Sequence, residues 1–324
     1  MKNLAGLTKV EKVASCICLC FLILLSSAPV TVARELVIAL KSLEVKPYRI
    51  ALRSFKKTLK KNGYHLNIEE HILQEDSKPN DGLLADIKGK SPRLIVTLGS
   101  AATSYIAKDI KDTPVVFCMV LNPTASGFIQ SMNASGNNMT GASLDIPLEV
   151  QFEALRSLIP SARKVGVIYN PQETESVIQE ATKAAEEIGL ELVSIPIISE
   201  HEVPEALRTL DGKVDALWSV ADSTVFSPGS TKFILLHTLR NKIPFIGLSP
   251  AFVKAGALMA LAADYQEVGT QCGELAVRVL SGDQPSSLPI TMPERITMYL
   301  NLNTAEILGL EISSDRMKGT VLIK

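Results

Sequence analysis

From Leu36 onward, apolar runs of strand length alternate with amphipathic stretches of helical period, and few architectures accept that order. Strands separated by helix-length connections cannot pair as hairpins. Each must cross over and return beside a neighbour, which gives a parallel sheet covered by helices on both faces. The pattern predicts strands at Leu36–Leu40, His65–Ile72, Arg93–Leu98 and Val115–Val120. Helices fall between them at Pro47–Asn62, Gly82–Lys88 and Ser100–Asp109. In the first helix Ile50, Leu52, Phe55 and Leu59 are the apolar face, and Gly63 closes it.

A polar, glycine-rich passage from Asn122 to Gly141 breaks the series and reads as a loop near a junction. A second alternating series follows. Its helices are one from Pro147 closed by Pro160, then Thr174–Ile188, Val203–Leu210 and Thr224–Asn241; its strands are Val165–Tyr169, Glu191–Ile195, Val214–Val220 and Pro244–Gly247. The tail adds a strand at Ala257–Ala262, a helix at Gln266–Leu280, and a last strand and helix within Thr297–Leu308. A chain of 324 residues exceeds what one hydrophobic core usually organises. The expectation is therefore an α/β protein of two doubly wound, Rossmann-like lobes joined by a hinge crossed more than once. Residues 34–145 with about 265–288 form the first lobe, and residues 146–264 with about 289–324 the second.

Lys2, Lys9 and Lys12 precede an uncharged stretch from Val13 to Ala33, and Thr31-Val32-Ala33 offers small residues before Arg34. This is the pattern of an export signal over residues 1–33 with a mature start near Arg34. The stretch is also long enough to span a bilayer, so an uncleaved anchor is the alternative. Val13-Ala14-Ser15-Cys16 resembles a lipoprotein box, but Lys9, Glu11 and Lys12 interrupt the segment before it.

Charge is nearly balanced, 33 basic against 34 acidic residues, which gives no electrostatic footprint for nucleic acid. Cys16, Cys18 and Cys20 fall in the signal, leaving Cys118 and Cys272, which read as two buried thiols with a disulfide as the alternative. No cysteine–histidine spacing suggests a metal site, and His65, His71, His201 and His237 are scattered. There is no Gly-x-Ser-x-Gly elbow, phosphate loop or dinucleotide glycine fingerprint, so no catalytic group or cofactor is expected.

In open α/β sheets ligands sit beyond the carboxyl ends of the strands, where helix N-termini gather. Two junctions fit that rule: Leu98-Gly99-Ser100-Ala101 with Thr103, and Val220-Ala221-Asp222-Ser223-Thr224. Ser100 can cap its helix while free N–H groups hold a carboxylate, and Asp222 can pair with an ammonium group. Each residue has a plain capping role as the alternative. Tyr169 and Asn170 end another strand of the second series, Asn122 and Thr140 lie near the crossover, Tyr48 opens the first helix, and Asp264 stands beside a hinge segment. Trp218, the single tryptophan, sits inside an apolar strand and reads as core.

Several segments occur in the order and spacing of a known family: Pro114-Val115-Val116-Phe117, Asn138-Met139-Thr140-Gly141, Leu158-Ile159-Pro160 through Val165–Pro171, and Lys213–Leu217. Lys242-Ile243-Pro244, Gly256-Ala257-Leu258, Ala263-Asp264-Tyr265 with Gly269, Leu280-Ser281-Gly282 and Asn301–Leu310 continue the match. The chain thus resembles the tryptophan/tyrosine-type substrate-binding proteins of ABC transporters, which have the type I periplasmic binding protein fold. Asn122-Pro123 stands where that family tends to have Asp-Pro, and Ala134–Asn138 departs from its Pro-Gly-Gly-Asn loop. The resemblance implies a monomeric periplasmic receptor that closes over a small organic solute, an amino acid or similar, and delivers it to an inner-membrane ABC permease. It also places ligand contacts at the Ser100 junction. A sensor of the same fold that signals to a membrane kinase or cyclase is the alternative.

Overall fold

The computed structural model describes residues 36–74 and 81–324, so the expected signal at 1–33 lies outside the described residues. The first sheet has five parallel strands in the order β2-β1-β3-β4-β5: β1 (Leu36–Lys41), β2 (Asn67–Ile72), β3 (Leu94–Leu98), β4 (Val115–Val120) and β5 (Met139–Ser143). Helices α1 (Lys46–Lys61), α2 (Asp81–Lys90) and α3 (Ser100–Asp109) connect the first four. All of β3 and β4 is buried, as expected for central parallel strands with helices on both faces, and the edge strand β5 is buried too, with the crossing at Thr291 beside it.

The second sheet repeats the design. It runs β12-β11-β10-β9-β8-β6-β7, and its β7-β6-β8-β9-β10 part reproduces the first sheet's order. The strands are β6 (Lys164–Tyr169), β7 (Glu191–Pro196), β8 (Ala216–Trp218), β9 (Phe245–Ile246), β10 (Met259–Ala263), β11 (Ile296–Asn301) and β12 (Val321–Ile323). Helices α4 (Leu148–Leu158), α5 (Pro171–Glu187), α6 (Val203–Leu210), α7 (Pro228–Arg240) and α8 (Pro250–Lys254) precede β10 in the chain. The β10–β11 pairing is antiparallel, and β12 runs parallel to β11, so these last two strands are reversed relative to the rest of the sheet.

The chain crosses between the sheets three times: after β5, after β10 into α9 (Tyr265–Leu280), and back before β11, with α10 (Leu302–Leu308) following. Two crossings are hydrogen-bonded to one another's neighbourhood: Ser143 N–H donates to Thr291 O at 2.9 Å and Asp264 N–H to Arg295 O at 3.0 Å. Helix α9 returns to pack on α1 of the first sheet, and it does so closely because Gly269 and Gly273 present no side chain. A Cβ on Gly269 would stand 2.1 Å from Ala51 O.

Several expectations need correction. The passage before Gly141 was expected to be irregular, yet Met139–Ser143 is β5. Pairing along β4 outweighs its weak strand propensity, and Gly141 suits the place because a Cβ would meet Phe117 O at 2.2 Å. Helix α7 begins at Pro228, not Thr224, because Ser227 caps it, accepting from Ser230 N–H at 3.2 Å, and proline fits the first helical turn. Finally, Cys118 and Cys272 are joined as a disulfide, with Cα atoms 6.1 Å apart, tying β4 to α9; the two-thiol reading does not hold.

Candidate functional site

At the carboxyl edge of the first sheet β1 runs into Ser42 and β3 into Gly99. Gly99 is the cap residue of α3, with φ +89°, so Ser100 is not the cap. The oxygen serving that helix start comes from Ser42, whose Oγ accepts from Ala102 N–H at 2.8 Å. Tyr48, early in α1, lies directly on Gly99: a Cβ there would be 2.1 Å from Tyr48 Oη and 2.8 Å from Ser42 Oγ. Burial pushes the Tyr48 phenol up, against a smaller opposite effect of its bond to Ser42. Ser100 and Ala101 are exposed at this end. Thr103 is fully buried, its hydroxyl donating to Gly99 O at 2.9 Å and lying 2.8 Å from Thr97 Oγ1. Tyr48, Gly99, Ser100 and Ala101 therefore come together around Ser42, which sequence reasoning missed, while Thr103 belongs to the interior.

At the corresponding edge of the second sheet a polar knot forms. Asp222 is buried and its carboxylate accepts from Asn170 N–H at 2.6 Å, Thr174 Oγ1 at 2.8 Å and Val225 N–H at 3.0 Å. Asn170 caps α5 through Gln172 N–H and donates from Nδ2 to Thr224 Oγ1 at 2.9 Å. Glu173 completes the knot, accepting from both the N–H and the hydroxyl of Ser223, at 2.7 and 2.8 Å, and from the same two groups of Thr224. The N–H and hydroxyl groups of Ser223 and Thr224 are thus occupied by the protein's own Glu173. Burial acts upward on this carboxyl as the largest single effect, but the bonds from Thr224 and Ser223 together hold it below the usual range. Tyr169 donates its hydroxyl to Glu175 at 3.0 Å.

The principal cavity, about 730 Å³, draws its walls from both sheets. From the first come Leu121, Asn122 and the crossing segment Leu144–Pro147; from the second come Trp218–Ala221 and Ile246–Leu248. Helices α4 and α5 add Glu149, Gln151, Glu180, Lys183 and Glu187. Of the residues singled out from sequence, Asn122 lines this cavity, and Trp218 does too although it read as core. Trp218 is buried, packs on Phe152 with ring centroids 5.2 Å apart, and donates from Nε1 to Gln151 at 2.9 Å. Its rim is therefore orientationally fixed.

Asn122 has φ +48°, a conformation asparagine tolerates, and its N–H is held by both oxygens of Asp145, at 2.9 and 3.0 Å. The Ser143 hydroxyl donates to the same carboxylate at 2.7 Å. Thr140 is fully buried in β5, away from the cavity lining, and its hydroxyl has no partner among the described residues. Asp264 caps α9, accepting from Gln266 N–H at 2.8 Å and Glu267 N–H at 3.3 Å. It braces a crossing. Among the described residues one group has metal-like spacing, Glu69, His71 and Asp86, but the Lys90 ammonium already reaches Glu69 and Asp86 at 2.5 and 2.6 Å.

Two α/β units of mainly parallel sheet, three crossings and a cavity walled by both sheets are the type I periplasmic binding protein fold. Residues 42–319 match the family of ABC transporter substrate binding proteins, and the chain belongs to that family. A tyrosine-binding protein of Clostridioides difficile (strain R20291) is 28% identical over 275 residues, covering 83% of this chain and 79% of that protein. Solved structures share the fold. An ABC domain from Streptococcus pneumonia in complex with L-Trp superposes with a TM-score of 0.72 at 21% identity, covering 90% of this chain and 100% of that one. A ligand-free, open substrate binding protein with adhesive properties from Clostridium difficile gives 0.73 at 24%, covering 90% and 99%.

Proposed function

We propose that this protein is an extracytoplasmic receptor that takes an aromatic amino acid, tyrosine or tryptophan in kind, into the cavity between its sheets and presents it to an ABC permease. The observation that carries this reading is the cavity itself. Its volume of about 730 Å³ has ample room for such a molecule, and it combines an apolar wall (Trp218, Val220, Ile246, Leu248) with a few convergent polar groups. The relatives' ligands point the same way: one is a tyrosine-binding protein and another was solved with L-Trp. Export through residues 1–33 and hinge closure belong to the same proposal. A thermal-shift screen of the purified protein against the amino acids tests it, since a ligand that binds only the folded state raises the midpoint by mass action. Stabilisation by L-tyrosine or L-tryptophan above the aliphatic amino acids is the expected result. No shift with any aromatic amino acid would remove the reading.

A further inference from the structure

Asp145 is the unusual group of the cavity. It sits where the chain leaves the first sheet, lines the cavity, and offers its carboxylate to Asn122 N–H and the Ser143 hydroxyl. It forms no ion pair among the described residues, and the charge acting on it is another anion, Glu180 of α5. Elsewhere the carboxylates set within the fold are compensated: Asp222 has three donors and Glu173 has five. The charged groups lining the cavity around Asp145 are Glu149 from α4 and Glu180, Lys183 and Glu187 from α5. One lysine faces four carboxylates.

A half-buried carboxylate that faces further carboxylates and has no counter-ion carries a cost that an arriving cation offsets. Resting on the amino-acid reading above, we infer that Asp145 receives the ammonium group of the ligand, with Glu180 as a second, outer carboxylate, so that the cleft selects its ligand for a positive amine ahead of a carboxylate. The geometry gives this pair a further role. Asp145 belongs to a crossing between the sheets and Glu180 to a helix of the second sheet, so a cation between them offsets a repulsion that works against approach of the two walls.

The pH dependence follows. Burial raises the Asp145 carboxyl and the Glu180 charge adds to that, while the Asn122 and Ser143 bonds act in the opposite direction. An ammonium group needs the ionised form. Affinity is full above the raised value and declines as pH falls through it.

The test compares L-tyrosine, tyramine, which lacks the carboxylate, and 3-(4-hydroxyphenyl)propanoate, which lacks the ammonium, by titration calorimetry on the wild type, Asp145→Asn and Glu180→Gln. Tyramine should keep measurable binding and the propanoate should lose it. Asp145→Asn should weaken L-tyrosine and tyramine by a common factor of about thirtyfold or more, and so collapse the preference for L-tyrosine over the propanoate. Glu180→Gln lies on an exposed helix face and should give a smaller loss of the same sign, which keeps the inference testable if Asp145→Asn does not fold. If L-tyrosine binds the wild type but its preference over the propanoate is unchanged in both variants and flat with pH, this inference falls and the amino-acid reading stands. If the wild type binds none of the three and no L-tryptophan either, both fall.

Discussion

Replacing Gly99 by alanine should damage the protein through two separable effects. The first is backbone strain, because φ +89° lies where a side chain is rarely tolerated, at about 1–3 kcal/mol. The second is steric: the new Cβ would be 2.1 Å from Tyr48 Oη and 2.7 Å from Tyr48 Cζ, and over-packing of that kind costs about 1–3 kcal/mol. The sum is about 2–6 kcal/mol, a large part of the stability of an ordinary domain. For a chain of this size it lowers the melting temperature by roughly 5–15 °C. Urea unfolding followed by circular dichroism measures it, with Tyr48→Ala and the double variant completing a cycle. In the Tyr48→Ala background the backbone part and the milder contact with Ser42 Oγ at 2.8 Å should remain, so the two substitutions should couple by about 1–3 kcal/mol. A Gly99→Ala penalty that is the same with and without the tyrosine ring would refute the close approach, and a neutral Gly99→Ala would refute both effects.

Glu173 ties α5 to the Ser223–Thr224 turn, and its carboxyl is held below the usual range. A depressed value means its contribution is present above the ordinary glutamate range near pH ~4.3 and is lost as pH falls through the folded value. Glu173→Gln should therefore lower stability at neutral pH by about 1 kcal/mol, the group being partly exposed, and the gap to wild type should close on acidification. A pH-independent gap would contradict this. The Cys118–Cys272 bridge closes a separation of 154 residues, so Ellman titration of the unreduced, unfolded protein should find neither of these thiols free. Cys118→Ser/Cys272→Ser should lose about 2–5 kcal/mol.

Much of the fold was legible because parallel strands buried on both faces announce themselves as apolar runs. Ser100–Asp109, Val115–Val120 and Val203–Leu210 follow the bounds read from the chain. The edge strand β5 did not announce itself, since Met139-Thr140-Gly141-Ala142-Ser143 becomes a strand only through β4 and the crossing beside it. Nor did the start of α7, where Asp222 and Glu173 hold a separate turn before Ser227 caps the helix.

The candidate site was legible in its location, beyond the carboxyl ends of the strands, and less so in its members. Ser42 reaches the α3 start from another strand, and Asp145 was hidden because nothing local distinguishes a loop aspartate that carries no counter-ion from a solvated one. Asp222, the residue whose sequence position looked most like a ligand contact, has its carboxylate committed to Asn170, Thr174 and Val225.

Trp218 is the single tryptophan of the chain and lines the cavity, so its fluorescence reports directly on occupancy. Titration with L-tyrosine, under excitation selective for tryptophan, should change the Trp218 emission saturably with one ligand per chain. Calorimetric binding that leaves Trp218 emission unchanged would place the ligand elsewhere and contradict the account.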